Sequence, residues 1–279
     1  MKNNNARSIK NKIEEIEILV NSYEIDIAII SESWVKKNEE KYYNLDNYHA
    51  VYSTREKRGG GLAIFINKTL DFNVLEISES EISYVAVKII STNVIVCGIY
   101  NPPMTTTNEF LNFVEQKLEN INQYSLDAVI VGDMNVDISK NTLQSNKLLE
   151  VYSLNGFKLF NSTTLTRTTT TGGSLIDHVI SNSSEELKIH FFETPLSDHI
   201  MQTISIPTQI KIQNSKYHEV SKTKFNIDKI KSKLLILNNE LYKYQDPTYL
   251  YNELLKVFEE CSYTKNIKIR KKFETMVYK

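Results

Sequence analysis

Asp127-Ala-Val-Ile-Val-Gly-Asp-Met-Asn-Val-Asp137 decides how the rest of the chain is read. Its apolar run, Ala128 to Val131, is rich in β-branched residues and stops at Gly132, the pattern of a strand buried on both faces of an α/β sheet. Sheets of that kind carry their chemistry at the C-terminal ends of the strands. Asp133 and Asn135 follow, two residues apart, so in an extended backbone their side chains share one face. A carboxylate that only accepts, beside an amide that donates and accepts, can hold a water and a phosphate oxygen together. The alternative for an isolated Gly-Asp-x-Asn is an Asx turn that closes the strand.

Working outward, Lys10 to Tyr23 places Ile13, Ile16, Leu19 and Val20 at helical spacing with Glu14, Glu15 and Glu17 between them, an amphipathic helix. Ile25 to Ser31 reads as a buried strand delivering Glu32-Ser-Trp34. The polar segment to Tyr48 reads as loop, and Arg55-Glu-Lys-Arg-Gly-Gly-Gly61 as a turn into the strand Leu62 to Ile66. Ile82 to Ile90 and Asn93 to Tyr100 form a hairpin around Ser91-Thr92, ended by Asn101-Pro-Pro103, which cannot continue a ladder. Thr107 or Asn108 is a candidate cap for a helix with Phe110, Leu111, Val114 and Leu118 on one face. Downstream come a helix at about Thr142 to Leu154, a Thr-rich loop from Thr163 to Gly173, and strands at Ser174 to Ser181, Lys188 to Phe192 and Met201 to Ile206. The hairpin and the late run of strands break the alternation of a doubly wound sheet. The pattern therefore predicts two sheets packed on each other with helices outside.

A net charge of -1 conceals an uneven distribution: 18 Lys and Arg against 26 Asp and Glu up to His199, then 15 against 8 from Ile200 onward. An acidic domain that handles nucleic acid needs a cation and a local basic groove, because its overall field repels phosphates. From about Gln209 the composition turns to Lys, Asn and Tyr, with helical patches at Ile227 to Leu237 and Tyr249 to Phe258. A boundary near Ser215 separates a main domain over 1–208 from a basic helical tail over 209–279. A hydrophobic share of 41% and a charged share of 24% are those of a soluble globular chain. Cys97 and Cys261 lack metal-ligand spacing, and Cys97 lies in an apolar run as a reduced core thiol, which points to a reducing compartment. No membrane span and no signal peptide is legible, so the expected address is intracellular.

Polar groups recur where apolar runs end: Glu32, Tyr100, Asp133 with Asn135, Asp177, and the pair Asp198-His199. His178, beside Asp177, faces the other way and reads as structural. Together these residues supply the parts of a phosphodiester hydrolase. A hard cation such as Mg²⁺ takes carboxylates, water and phosphate oxygens, which makes Glu32 a candidate ligand. His199 held by Asp177 is a candidate general base. A water between Asp133 and His199 would attack, while Asn135 and Tyr100 bond the non-bridging oxygens.

Six segments, Asn5-Ala-Arg-Ser8, Ser31-Glu-Ser-Trp34, Tyr100-Asn-Pro-Pro103, Gly132-Asp-Met-Asn135, Ile176-Asp-His178 and Ser197-Asp-His199, occur in the order and spacing of the endonuclease/exonuclease/phosphatase superfamily. Over about Asn5 to Ile206 the chain most resembles the apurinic-type endonuclease domain of non-LTR, LINE-like retrotransposons. The resemblance implies a four-layer α/β sandwich, Mg²⁺ or Mn²⁺, and nicking of DNA to leave a 3′-hydroxyl that primes reverse transcription, with a nuclear site of action. It further implies Asn5 and Glu32 at the metal, Asp198 at the metal or the water, Tyr100 on the phosphate, Asp133 and Asn135 around the water and phosphate, and Asp177 supporting His199. Arg167, Thr171 and Ser174 fall where such enzymes contact DNA. The strand that precedes the first motif in the family is expected to be missing, since only Met1 to Asn4 come before Asn5, and no reverse transcriptase follows. Two alternatives accompany this reading: a phosphomonoesterase of the same superfamily, and a weakly active relic whose basic tail binds nucleic acid or a partner.

Overall fold

In chain order the computed structural model forms β1 (Lys2–Asn5), α1 (Ile13–Ser22), β2 (Ile27–Ser31), β3 (Tyr48–Ser53), β4 (Leu62–Asn67), β5 (Phe72–Ile77), β6 (Ser83–Ile89), β7 (Val94–Tyr100), α2 (Thr107–Gln123), β8 (Ala128–Asp133), α3 (Leu143–Leu154), β9 (Lys158–Leu159), β10 (Arg167–Thr169), β11 (Gly172–Ser174), β12 (Asp177–Ser181), β13 (Lys188–Phe192) and β14 (Met201–Ser205). The structure describes residues 2–5, 8–55, 59–78, 80–169, 172–194, 196–207, 217–240 and 247–270. Two six-stranded mixed sheets result, ordered β13-β14-β1-β2-β4-β3 and β5-β6-β7-β8-β12-β9, with β10 and β11 as a separate hairpin.

Side-chain alternation along β8 sorts the core into layers. Val129 and Val131 face the first sheet and join Ile29, Leu62, Ile64 and Val96 between the two sheets. Ala128 and Ile130 face the other way, against Phe110, Val114 and Leu118 of α2 and Leu148 and Tyr152 of α3. In the first sheet Ala28 and Ile30 of β2 turn outward to Ile16 and Val20 of α1. Helix, sheet, sheet, helices: the expected four-layer sandwich is the fold. Each fully buried Val, Ile or Leu in these layers stabilises it by about 1.5–3 kcal/mol. At Gly98 on β7 the sheets approach so closely that a Cβ would lie 2.7 Å from Leu62 Cδ2 and 2.9 Å from Ile29 Cγ2.

Several elements differ from the sequence expectation. The strand expected to be missing before the first motif is present, since Lys2–Asn5 pairs parallel with β2 and antiparallel with β14 inside the first sheet. Backbone groups make that ladder, and they do not depend on an apolar pattern. The Thr-rich loop is a hairpin in which Arg167 pairs with Ser174. Helix α2 is capped one residue earlier than expected, by the Thr106 side chain accepting from Glu109 N, whereas Thr142 caps α3 in a reciprocal capping box with Ser145.

A second compact unit, Lys216–Ile269, contains β15 (Tyr217–Phe225), α4 (Ile227–Glu240), α5 (Pro247–Cys261) and β16 (Ser262–Arg270). Ile230, Leu234, Val257 and Cys261 form its apolar cluster. The helices fall where the helical patches were expected, and β15 pairs with β16 in addition.

Candidate active site

Strand register builds the site. Tyr100 pairs with Asp133 across the parallel β7–β8 ladder, and Asp133 pairs with Asp177 across the antiparallel β8–β12 ladder. Three strand ends thus set a phenol and two carboxylates side by side along the rim of the second sheet. Gly132 permits the approach, since a Cβ there would lie 1.7 Å from the Ile99 carbonyl oxygen. Facing them, β2 ends at Ser31, and the next residue, Glu32, accepts a hydrogen bond from Tyr100 Oη at 3.2 Å. Glu32 adopts φ 55° and Trp34 φ 56°. Backbone strain of this kind in non-glycine residues gathers at functional loops.

His199 follows the hairpin, bridged to Arg167. Its Nδ1–H donates to Asp177 Oδ2 at 2.8 Å, and both side chains are only 3% exposed. Because the carboxylate can only accept, this bond fixes the tautomer and leaves Nε2 as the basic nitrogen of the neutral ring. Burial alone would lower the His199 pKa. The Asp177 hydrogen bond and the charges of Asp177, Asp133 and Asp198 outweigh it and hold the pKa above the ordinary histidine value. Burial, followed by the negative charge of Glu32 and Asp133, pushes the Tyr100 phenol far above its usual range, so Tyr100 is a hydrogen-bond donor at neutral pH.

Of the two readings of Gly-Asp-x-Asn, the turn is the one the backbone adopts. Asn135 N donates to Asp133 Oδ1 at 3.0 Å, an Asx turn, and Asn135 sits at φ 48°, so the extended conformation stops at the strand end. One Asn135 Nδ2 proton goes to the Asn101 carbonyl at 2.7 Å, which leaves the second amide proton and Oδ1 for other partners. Asn101 returns the tie through its backbone N to Asp133 O (2.9 Å) and its Nδ2 to Met134 O (2.8 Å). His178 is buried beneath this turn: Nε2 donates to Val136 O and Nδ1 accepts from Tyr152 Oη, each at 3.0 Å.

Sequence reasoning missed the residues that hold Asp177. The buried Thr166 hydroxyl accepts from Ile176 N at 3.1 Å and Asp177 N at 3.0 Å, while Asn161 Nδ2 and Gln202 Nε2 both donate to Asp177 O. Gln202, a fully buried amide inside an apolar strand, was the one signal available. The expected DNA contacts divide. Arg167 is committed, its Nε donating to Asp198 Oδ2 at 2.9 Å. Ser174 pairs with Arg167, and its carbonyl accepts from Thr166 N. Thr171 lies outside the described residues. Asn5 pairs in register with Ser31, next to Glu32, and its side chain lies outside the described residues.

A model of the Endonuclease/Exonuclease/phosphatase family matches residues 2–199. The chain belongs to that family. Members of the endonuclease/exonuclease/phosphatase family are hydrolases that typically use divalent metals. The donor chemistry suits one: among the described residues Asp133, Asp177 and His199 have ligand atoms within 4.8 Å of one another, and since Asp177 Oδ2 and His199 Nδ1 are engaged with each other, the carboxylates of Asp133 and Glu32 are the oxygen donors a hard cation would take. The fold is similar to that of the endonuclease domain of TRAS1, a telomere-specific non-LTR retrotransposon, at 17% identity over 75% of this chain and 98% of that one, TM-score 0.61. It is similar to a 3′ phosphatase from Neisseria bound to a product DNA hairpin (12%; 74% and 98%; TM-score 0.57). A mannosyl-6-phosphatase from Bacteroides thetaiotaomicron shares the architecture too (15%; 74% and 98%; TM-score 0.52). Compared by sequence with curated proteins, the chain matches none. Among the described residues no helix is long and apolar enough to cross a membrane.

Proposed function

We propose that this family member is a divalent-metal-dependent endonuclease that hydrolyses one phosphodiester bond of DNA and leaves a 3′-hydroxyl. The observation that carries the reading is the buried Asp177–His199 pair standing beside Asp133, with the Tyr100–Glu32 hydrogen bond opposite. The arrangement is an oriented base, a water-holding carboxylate and a phenol donor at one strand edge.

Asp177 keeps His199 in the tautomer whose Nε2 takes a proton from water. Asp133 orients that water, and the remaining Asn135 amide proton and the Tyr100 hydroxyl donate to the non-bridging oxygens as charge develops. Glu32, with Asn5 and Asp198, would hold Mg²⁺ or Mn²⁺, which when bound offsets charge on the departing oxygen. Asp198 reaches this role with Oδ2 already sharing the Arg167 guanidinium. The resemblance to retrotransposon endonucleases supports a nick that primes DNA synthesis in the nucleus.

Conversion of supercoiled plasmid to open circle tests the proposal. With Mg²⁺ the chain should nick, EDTA should abolish nicking, and Asp133→Ala and His199→Ala should each lower the rate at least about 1000-fold. The nicked ends should prime a DNA polymerase without prior phosphatase treatment. Release of phosphate from small monoesters without any nicking would move the assignment to a phosphomonoesterase.

A further inference from the structure

Among the described residues, Arg55 stands beside Tyr100 without a task in the phosphodiester reading. Arg55 leaves β3 and lies back against Gly60 so tightly that a Cβ at Gly60 would meet Arg55 Nη1 at 2.3 Å and Arg55 Cδ at 2.9 Å, while touching Tyr100 Cε1 at 3.1 Å. Gly60 has φ +75° and its carbonyl accepts from Trp34 N at 2.9 Å. The seat of the arginine is therefore pinned to the loop that carries Glu32. Only 14% of the Arg55 side chain is exposed, and its Nη2 donates to Glu81, half exposed on the turn between β5 and β6.

The two arginines near the site differ in what they hold. Arg167 holds Asp198, whose charge acts on the neighbouring His199. Arg55 holds Glu81, which faces solvent. Solvent at the half-exposed Glu81 screens that ion pair, whereas a guanidinium fork on a phosphate makes two charge-assisted bonds. An anion arriving over Tyr100 can take Arg55 from Glu81 at little cost.

We propose that Arg55 is a substrate-binding residue for a phosphate flanking the scissile one, and that Glu81 holds it in reserve until a polynucleotide occupies the cleft. This rests on the phosphodiesterase reading and sharpens it: the substrate carries phosphates in series, and the acidic domain meets them with a cation seated beside Tyr100.

Two substrates separate the ideas, a 30-base-pair duplex and the p-nitrophenyl ester of thymidine 5′-monophosphate, a diester with no flanking phosphate. Arg55→Ala should raise KM for the duplex about 10-fold with kcat within about twofold, and leave kcat/KM for the small ester unchanged. The slope of log KM against log salt should shrink by about 0.9, the loss of one phosphate contact. Glu81→Gln should act in the opposite direction, lowering duplex KM about threefold. A wild-type chain that cleaves neither diester ends the functional reading. If wild type cleaves both and Arg55→Ala leaves duplex KM and salt slope unchanged, Arg55 has no such role while the functional reading stands. Equal losses on both substrates would also overturn the inference, by putting Arg55 on the scissile phosphate itself.

Discussion

The two sheets contribute differently to the cleft between their edges. The second sheet delivers polar groups already tied together, Asp133 to Asn135, Asn135 to Asn101, and Asp177 to His199, the histidine that leads into β14 of the first sheet; Thr166, Asn161 and Gln202, the last on β14 itself, fix the Asp177 backbone. The first delivers Glu32 on a left-handed turn after β2, reaching across to Tyr100. Buried acid–base pairs act only at a narrow set of distances, so rigid support raises the fraction of time they are productive. A carboxylate that meets a hydrated cation tolerates more freedom, because water completes the coordination. The rim of the second sheet, with His199 locked onto Asp177 from just before β14, is thus organised for proton transfer, and the Glu32 turn of the first sheet for charge.

Substituting Asp177 by Asn breaks the proton-transfer side most sharply. The Asn amide presents an N–H to His199 and reverses the tautomer, so kcat should fall about 1000- to 10,000-fold. The pH profile carries the sign. In the wild type the Asp177 bond and the surrounding carboxylates raise the His199 pKa against the lowering effect of burial, so the neutral base is lost as pH falls through a value above the ordinary one. Removing the Asp177 charge should shift the acid limb of kcat/KM to lower pH. A variant within tenfold of wild type, or an acid limb that stays put, would remove Asp177 from the mechanism.

Changing Glu32 to Gln should produce a loss of another kind, about 100-fold in rate and dependent on cation concentration. Wild-type Tm should climb with added Mn²⁺, since a ligand that binds the folded state stabilises it by mass action. Glu32→Gln should flatten that response, while Asp177→Asn should retain most of it. If Mn²⁺ raises the Tm of Glu32→Gln as far as that of wild type, the cation binds elsewhere and the division between the sheets fails.

How much of this was legible depends on which interaction each residue uses. The continuous apolar run of β8 and the polar groups Glu32, Tyr100, Asp133 and Asp177 at run ends could be read, because burial on both faces writes a dense apolar run that stops where water begins. Strands at sheet edges were harder: β3 and β5 bury only part of their side chains, so their pattern is weak. β1 was illegible, its place secured by backbone pairing under polar side chains. The hairpin from Arg167 to Ser174 looked like loop because threonine and glycine fit both descriptions. Arg167 and Asn135 were assigned outward roles that the hydrogen bonds of Asp198 and Asn101 share or take over. Those partners lie 31 and 34 residues away in sequence, beyond any local pattern.

The smallest effect tests whether the second sheet is also braced from below. His178 is wedged between Tyr152 and the Val136 carbonyl, in the turn that carries Asn135. Burial drives its pKa from 6.5 down to about 4, only partly countered by the Val136 hydrogen bond. A folded-state pKa below the unfolded one means that the unfolded chain takes up a proton which the folded chain refuses. Stability from this group is therefore complete above about pH 6.5, falls as pH drops toward about 4, and by then has cost roughly 3 kcal/mol. Urea unfolding at pH 7.5 and pH 5 should show wild type losing about 2 kcal/mol more than His178→Gln between the two conditions. Tyr152→Phe removes one donor and should cost about 1 kcal/mol at pH 7.5, with a loss of kcat no greater than a few-fold. Parallel pH dependence in wild type and His178→Gln would mean that water reaches this histidine in the folded chain, and the turn beneath Asn135 would then owe its shape to Asp133 and Asn101 alone.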